Sequence, residues 1–243
     1  MNWHNRYVQQ ATWTRELREY LFDKTALATA GSVLEVGCGT GAILSTLQSL
    51  ATLHGLDLNA DALAECHIHA PAACLTRGDA RWLPYRNEIF DITFCHFLLL
   101  WVKDPLSAIR EMGRVTKSKG YILAFAEPDY TSREDQPAQL ATLGHWQTSS
   151  LIRQGADASL GGRLADLFHQ AGIKIIETGT IKSRGQEALK SENWENEWAV
   201  IESDLAGIVS KEEIRKMRLL DEQARACGDR VLNVPTYFAW GQV

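Results

Sequence analysis

Short, continuous runs of apolar residues recur along the first half of the chain, separated by segments whose apolar residues follow helical spacing. Such runs are typical of strands that are buried on both faces of a parallel sheet. GSVLEVG is the clearest run, because a glycine bounds it on each side. We predict five strands of this kind, at 31–37, 52–58, 72–79, 90–97 and 120–127.

The segments between these runs have the start and stop signals of helices. A long helical segment is predicted over 7–29, and another helix directly after Gly41. Asn59 is the predicted N-cap of a helix over 60–67. Asp104, followed by Pro105, is predicted to open a helix that ends near Gly120.

Beyond residue 130 the alternation of apolar runs with helical segments becomes less regular. Two more strands are predicted, at 173–180 and 236–243, with helices before them at 137–154 and 160–171. The segment between the last two strands is predicted to be a helical insert. Strands that alternate with helices form crossover connections, so the expected fold is α/β, with a seven-stranded, mostly parallel sheet and helices on both faces.

Composition narrows the class of protein. With 243 residues, of which 45% are hydrophobic, the chain suits one α/β domain. No apolar stretch approaches the roughly 18 residues of a membrane span, and the polar N-terminus lacks a signal-peptide pattern, so we expect a cytoplasmic protein. The net charge of −5, without a basic stripe, argues against a nucleic-acid partner. The five scattered cysteines lack metal-ligand spacing, so no metal is expected.

The segment Glu35-Val36-Gly37-Cys38-Gly39-Thr40-Gly41 lies between a predicted strand and a predicted helix. Glycines let the backbone turn tightly and approach a ligand closely. The spacing is G-x-G-x-G, whereas dinucleotide sites use G-x-G-x-x-G around a pyrophosphate. The acidic Glu35 would repel phosphate, so the segment favours a ligand with an ammonium group. A purely structural turn is the alternative interpretation.

Two further acids follow the next predicted strands. Asp57 ends the second strand, where a carboxylate is able to bind both hydroxyls of a ribose. Asp79 follows the third strand, where it is able to accept a hydrogen bond from an adenine amino group. Strand carboxyl ends meet at one edge of a parallel sheet, and ligands bind there. The alternatives are a helix cap for Asp57 and a solvated loop acid for Asp79.

The runs VLEVGCGTG, GLDLN, GDARWLP, FDITFCHFLLLWVKDP and GYILAFAEPDY together resemble class I S-adenosylmethionine-dependent methyltransferases of the small-molecule type, which include the quinone-biosynthesis C-methyltransferases. The resemblance covers 31–130 and weakens beyond 140. It implies a Rossmann-like, seven-stranded, mostly parallel sheet whose last strand is antiparallel. It also implies one methyltransferase domain over 1–243, with a helical cap (1–30), a cofactor-binding core (31–130) and substrate-side elements (131–243).

The resemblance also implies a role for each matching residue. In this family the methionine part of the cofactor lies on the acid and the glycine loop, the ribose on the second acid and the adenine beside the third. The residues implied in cofactor binding are Tyr7, Trp13, Glu35, Gly37, Cys38, Gly39, Asp57, Leu58, Asp79, Ala80 and His96.

Two residues are candidates for catalysis. His96, after the fourth strand, is either a general base near the transferred methyl group or a core histidine. Glu127, after the fifth strand, either deprotonates an acceptor or is an ordinary loop acid. Tyr7 and Trp13 have helix packing as their alternative role.

The expected reaction is in-line transfer of a methyl group to an oxygen, nitrogen or carbon atom of a small molecule. Two alternatives stay open: a non-catalytic S-adenosylmethionine-binding protein and an NAD-dependent oxidoreductase. The fourth strand is followed by CHFLLLWV, which lacks the motif of DNA-amino methyltransferases. Some of the tryptophans either pack between helices or form an aromatic-walled pocket for a planar or cationic acceptor: Trp101, Trp146, Trp194 and Trp198.

Overall fold

The structure is a computed structural model that describes residues 3–47, 51–181 and 194–243. Contacts between residues divide the chain into two compact units. The first, here called the sheet unit, comprises residues 1–127, 160–181 and 236–243; the second, the helical unit, comprises 128–159 and 182–235. A single domain over the whole chain stays a prediction.

The strands of the described residues form two sheets. They are β1 (Ser32–Val36), β2 (Thr52–Asp57), β3 (Cys74–Arg77), β4 (Phe90–Cys95), β5 (Thr116–Pro128), β6 (Glu134–Gln136), β7 (Lys174–Ile181), β8 (Val231–Asn233) and β9 (Thr236–Gln242).

The sheet unit is built on a seven-stranded sheet with the order β3-β2-β1-β4-β5-β9-β7. The first five strands of the chain pair in parallel, while β7 and β9 pair antiparallel. The predicted fold class is therefore confirmed. Strand order reverses between β1 and β4, and ligands of open α/β sheets bind outside the carboxyl ends of the strands at such a point.

The α-helices of the described residues agree largely with the predicted pattern. They are α1 (Trp3–Trp13), α2 (Arg15–Lys24), α3 (Ala60–His69), α4 (Pro105–Val115), α5 (Ala141–Arg153), α6 (Leu160–Gln170), α7 (Trp194–Leu205) and α8 (Lys211–Cys227). Asn59 caps α3 and Asp104 caps α4 through their side-chain oxygens, as predicted. However, α4 ends at Val115 rather than near Gly120, because the chain enters β5 at Thr116.

The helix predicted directly after Gly41 is wrong for the part of that segment that the structure describes. A 3₁₀ helix of three residues, Leu44–Thr46, stands in its place, and Leu47 is already extended. The Thr46 hydroxyl donates to the Ile43 carbonyl at 2.7 Å. Such local side-chain bonds compete with helical backbone bonds, which accounts for the short element. Residues 48–50 of the predicted helix lie outside the described residues.

The core of the sheet unit packs α2 against the sheet. Phe22 of α2 meets Phe94 of β4 and Phe125 of β5 edge-to-face, with ring centroids 5.2–5.5 Å apart. A second apolar cluster joins Cys38 and Leu44 to Cys66 and Ala70 of the α3 region. The glycine loop is thus anchored from below by buried side chains.

The helical unit has its own core around Trp198, which is 1% exposed. The predicted insert between the last two strands of the large sheet contains α7 and α8, which confirms its helical character. The small antiparallel sheet of β6 and β8 was not predicted. Its strands have three residues each, and Glu134–Gln136 has no apolar alternation to reveal a strand. Among the helices described, none has the length and apolar character needed to cross a membrane.

Candidate functional site

The glycine loop follows β1 in a backbone conformation that requires glycine. Gly37 has φ +75°, and a Cβ atom there would lie 2.6 Å from Cδ1 of Leu98. Gly39 has φ +50°. The N–H groups of Gly37 and Cys38 both donate to the carbonyl of Leu56, at 2.7 and 3.0 Å. The loop is therefore fixed to the end of β2.

Asp57, the last residue of β2, binds the glycine loop directly. Its Oδ2 atom accepts the N–H of Gly39 at 2.8 Å, and its Oδ1 atom accepts the N–H of Asn59 at 2.8 Å. The carboxylate thus joins the loop to the start of α3. It is partly exposed, so it retains lone pairs for a ligand.

Glu35, on β1, is 3% exposed, and its Oε2 atom has no hydrogen-bond partner among the described residues. Burial raises the pKa of this carboxyl well above its usual value, while the nearby Arg18 and the Leu44 N–H act in the opposite direction. An unpaired buried carboxylate is costly and favours a cationic partner.

Arg18 is a functional candidate that the sequence analysis missed. It is 7% exposed; its Nη2 donates to the Ala11 carbonyl at 2.8 Å, and its Nε has no partner within the part of the chain that the structure describes. The signal was present in the sequence. Ala11, Thr14, Arg18 and Leu21 follow the 3- and 4-residue spacing of a buried helix stripe, where an arginine is unusual.

His96 follows β4 and is held by the N-terminal helices. Its Nε2 shares a hydrogen bond of 3.0 Å with the hydroxyl of Thr14, and its ring meets Phe97 edge-on at 4.7 Å. Burial, with a smaller contribution from the positive Arg18, lowers the pKa of His96 to about 3. The ring is therefore neutral at physiological pH. Its role as a general base stays a prediction.

Glu127, near the end of β5, is fully buried, and its carboxylate accepts three backbone N–H groups. Oε1 accepts from Leu98 and Leu99 at 3.1 and 2.9 Å, and Oε2 accepts from Leu100 at 3.1 Å. Burial raises the pKa of Glu127 to about 7, against the effect of these donors. The carboxylate holds the segment whose Leu98 side chain covers Gly37. This arrangement favours a positioning role, and a catalytic role stays a prediction.

Asp79 lies after β3 and pairs with Arg81. The Nη2–Oδ2 distance is 2.6 Å, and the backbone N–H of Arg81 also donates to Oδ1 at 2.9 Å. The Arg81 hydrogen bond is the main reason that the pKa of Asp79 lies below its ordinary value. Ala80 is buried beside it, while Leu58 is 64% exposed and free to pack on a flat ligand.

The two aromatic residues predicted to close the site both belong to α1. The ring of Tyr7 lies 3.7 Å from the position that a Cβ of Gly39 would occupy, so it covers the glycine loop. Trp13 meets Phe97 edge-on at 6.4 Å, and Arg6 lies over its ring at 5.3 Å. The fold therefore brings Tyr7 to the loop and Trp13 to the region after β4.

A cavity of about 420 Å³ lies beside Arg18. Its walls come from α1, α2 and the segment after the glycine loop, and they include Arg15 and Glu19. Asp57, Asp79 and His96 are not among its lining residues. Glu35 is not among them either, so of the site residues only Arg18 lines this cavity.

Comparison with known proteins agrees with this geometry. Residues 34–124 match the model of the family described as "Methyltransferase domain". These residues include most of β1, the glycine loop, Asp57, Asp79 and His96. Over 34–124 the chain is therefore similar to a methyltransferase domain. S-adenosylmethionine is the cofactor of this class of domain, as the resemblance implied.

Individual relatives are methyltransferases with different acceptors. A malonyl-acyl-carrier-protein O-methyltransferase of Erwinia pyrifoliae is 28% identical over 156 residues, which cover 62% of this chain and 60% of that protein. A demethylmenaquinone methyltransferase of Lactiplantibacillus plantarum is 31% identical over 148 residues, covering 57% of this chain and 60% of that protein. The match thus spans about 60% of each relative's length.

A solved structure shares the fold. Phosphoethanolamine N-methyltransferase 2 of Haemonchus contortus, in complex with S-adenosylhomocysteine, superposes with a TM-score of 0.58 at 16% identity, covering 91% of this chain and 51% of that one. At this level of identity the likeness concerns the fold alone.

The buried polar atoms of the methyltransferase domain suit the cofactor. S-adenosylmethionine carries an α-amino acid group with one ammonium and one carboxylate. Glu35 offers a carboxylate oxygen without a partner, and Arg18 offers a guanidinium N–H without one, among the described residues. One unpartnered acceptor atom and one unpartnered donor atom, on buried groups that interact electrostatically with each other, match the ammonium and carboxylate of an amino acid.

The tryptophans predicted to wall an acceptor pocket have other partners where the structure describes them. The indole N–H groups of Trp194 and Trp198 donate to Asp221 at 2.8 and 2.9 Å. Trp146 packs against the same core, which lies inside the helical unit. These contacts support the helix-packing alternative for the three. Trp101, in the sheet unit, is 45% exposed.

Proposed function

We propose that the chain transfers a methyl group from S-adenosylmethionine to an oxygen, nitrogen or carbon atom of a small molecule. The single observation that carries the proposal is the pair of unpartnered buried groups on Glu35 and Arg18, next to a glycine loop tied to Asp57. When bound, the cofactor supplies a methyl group that is already activated by a positive sulfonium.

Each part of the domain has a proposed role in holding the cofactor. Glu35 binds the ammonium and Arg18 the carboxylate of the methionine moiety, while the backbone of the glycine loop lies alongside. Asp57 binds the ribose hydroxyls, since its partly exposed carboxylate keeps free lone pairs. Asp79 and Ala80 contact the adenine edge, Leu58 packs on the adenine, and Tyr7 and Trp13 close the site.

The chemistry asked of the protein is mainly alignment and exclusion of water. Both candidate bases are poorly suited to proton abstraction near neutral pH. His96 has a pKa of about 3, and both oxygens of Glu127 are engaged by backbone N–H groups. We therefore propose that His96 lines the transfer zone, that Glu127 positions the segment over Gly37, and that the acceptor needs no enzymatic base.

Acceptors that need no base include carboxylates, unprotonated amines and carbon atoms of anions that are already ionised in solution, such as stabilised enolates. This conclusion is compatible with O-, N- and C-methylation alike. Of the four tryptophans considered, Trp101 alone keeps the proposed role of lining a pocket for a planar or cationic acceptor. The five free thiols support a reducing compartment, so we propose that the reaction takes place in the cytoplasm.

An acceptor screen tests the activity. The purified protein is incubated with S-adenosylmethionine and a panel of carboxylates, amines, phenols and quinols, and release of S-adenosylhomocysteine is followed. Acceptor-dependent release is expected, and it should be reduced by Arg18→Met. If the protein binds the cofactor tightly but releases nothing with any acceptor, a binding protein without transferase activity is the better description.

A further inference from the structure

The start of α1 brings one side chain to two side chains near the end of α3, far along the sequence from it. His4 lies on α1, and Glu65 and His69 lie on α3. One nitrogen or oxygen atom from each lies within 4.8 Å of the other two, and all three residues are half-buried. The expectation that the chain has no metal-ligand cluster came from local spacing, which does not reveal this group.

The helix of α3 arranges two members of the group by itself. Glu65 and His69 are four residues apart, so they project from the same face of the helix. Their Oε1 and Nε2 atoms are 3.9 Å apart. His4 completes the group from across the interface: its ring stacks on that of His69 with centroids 3.4 Å apart and planes 8° from parallel.

The orientation of His4 leaves one ring nitrogen for a ligand. Its Nδ1 atom shares a hydrogen bond of 2.9 Å with the hydroxyl of Thr40. Histidines that bind metals usually engage their second ring nitrogen in this way, because the bond fixes the ring and its tautomer. With Nδ1 engaged, Nε2 is the atom free to bind an ion. Thr40 is part of the glycine loop, so the group adjoins the cofactor site.

We propose that His4, Glu65 and His69 bind one zinc ion. Two imidazoles and one carboxylate are a ligand set that zinc accepts, with a fourth position left for water. Zinc–ligand distances of about 2.0–2.2 Å place tetrahedral ligand atoms about 3.4 Å apart. Because the rings of His4 and His69 are stacked nearly in parallel, binding of one ion by both requires the His69 ring to turn toward Nε2 of His4, while Thr40 holds the His4 ring. The ion would join α1 to α3, and Thr40 would hold the His4 ring through its hydrogen bond to Nδ1.

Metal binding is measured on the untagged protein after treatment with a chelator, without cofactor. Zinc chloride is titrated in competition with a fluorescent zinc chelator. His4→Gln and His69→Gln are compared with the matched control His67→Gln, an exposed histidine in the same last turn of α3. The exposed thiols of Cys74 and Cys227 are present in every variant, so adventitious binding there is equal in all.

We expect one zinc ion per chain for the unaltered protein and for His67→Gln, and at least about tenfold weaker binding for His4→Gln and His69→Gln. Thr40→Val should weaken zinc binding about tenfold, as loss of a partner of a metal-bound histidine does. Zinc should also raise the melting temperature of the unaltered protein but not of His69→Gln.

The proposal is overturned if the unaltered protein binds no zinc, or if His69→Gln and His67→Gln bind it equally. Because no cofactor is present in these measurements, their outcome is independent of the proposed methyl transfer. The substituted histidines are partly exposed, so their replacement should leave the fold intact. Circular dichroism establishes that each variant folds.

Discussion

The carboxylate of Asp57 accepts the backbone N–H of Gly39 at 2.8 Å, which joins the end of β2 to the glycine loop. A residue proposed to bind the ribose therefore also shapes the loop that holds the methionine moiety. The second oxygen accepts the N–H of Asn59, so the same side chain fixes the start of α3. We therefore expect that loss of this one carboxylate affects both the proposed ribose site and the glycine loop.

Asp57→Ala should weaken binding of S-adenosylhomocysteine by about 2–3 kcal/mol, because charge-assisted bonds to two hydroxyls are lost. Asp61→Ala is the matched control, since Asp61 is an exposed acid in the first turn of α3. Isothermal titration calorimetry measures both variants. Unchanged affinity in a folded Asp57→Ala variant would remove Asp57 from the site.

Arg18→Met should weaken binding of S-adenosylhomocysteine by about 1.5–3 kcal/mol, the typical contribution of a hydrogen bond to a charged group. Binding of 5′-methylthioadenosine, which has no amino acid group, should change little. Lys24→Met, which removes an exposed cation at the other end of the same helix, is the control. Equal losses for both ligands would mean that Arg18 supports the fold rather than the carboxylate.

These residues show how far the sequence predicts the site. Glu35, Asp57 and Asp79 were predicted because each lies at or near the end of a strand, and strand ends of a parallel sheet meet at one edge. Their roles in binding stay predictions. Arg18 was missed because an arginine in an amphipathic helix is normally assigned to the solvent side. Only its place in the buried stripe, with Ala11 and Leu21, indicates otherwise.

Other features depend on contacts that local patterns do not encode. The pairing of His4 with His69 joins residues far apart along the chain. The segment after Gly41 has helical spacing, yet the Thr46 hydroxyl bonds to the Ile43 carbonyl and the element stays short. The partners of Glu127 are three backbone N–H groups of another segment. Backbone donors do not depend on residue type, so the sequence does not reveal these contacts.

The raised pKa of Glu127 predicts a pH-dependent stability. The folded carboxyl titrates at about 7, whereas a carboxyl of the unfolded chain titrates at about 4.3. Its contribution to the free energy of unfolding is thus complete below pH 4 and is lost as the pH rises to 7. Glu127→Gln has no such titration. Urea unfolding measures the free energy of unfolding of both proteins between pH 4.5 and 8. We expect the unaltered protein to lose stability relative to Glu127→Gln as the pH rises to 7, and the difference to stay constant above pH 7. A constant difference would contradict the raised pKa.

His96 should stay neutral throughout the physiological range. Its folded pKa of about 3 lies below the ordinary value of about 6.5, so the ring lowers stability progressively as the pH falls from 6.5 toward 3. Two-dimensional NMR of the imidazole groups, with His96→Gln to assign the signal, measures this directly. A His96 signal that titrates between pH 5 and 8 would restore the general-base role.

Asp221 should be the most sensitive polar position of the helical unit. Its carboxylate accepts the indole N–H groups of Trp194 and Trp198 and pairs with Arg225 and Arg230. Asp221→Asn should cost about 3 kcal/mol, the low end for breaking a buried ion pair, since Arg230 keeps Asp135 as a second partner.

Urea unfolding followed by tryptophan fluorescence measures this cost, because two of the fluorophores contact Asp221. Glu202→Gln is the control: it removes an exposed partner of Arg218 and should change the free energy of unfolding by less than about 1 kcal/mol. Equal effects of the two substitutions would mean that the buried network contributes no more than a surface ion pair.

Calorimetric titration of the unaltered protein with S-adenosylhomocysteine, with NAD as the control ligand, tests cofactor binding directly. We expect one site per chain with affinity in the micromolar range for S-adenosylhomocysteine, and no heat of binding for NAD. Binding of NAD, or no binding of S-adenosylhomocysteine by the folded protein, would contradict this expectation.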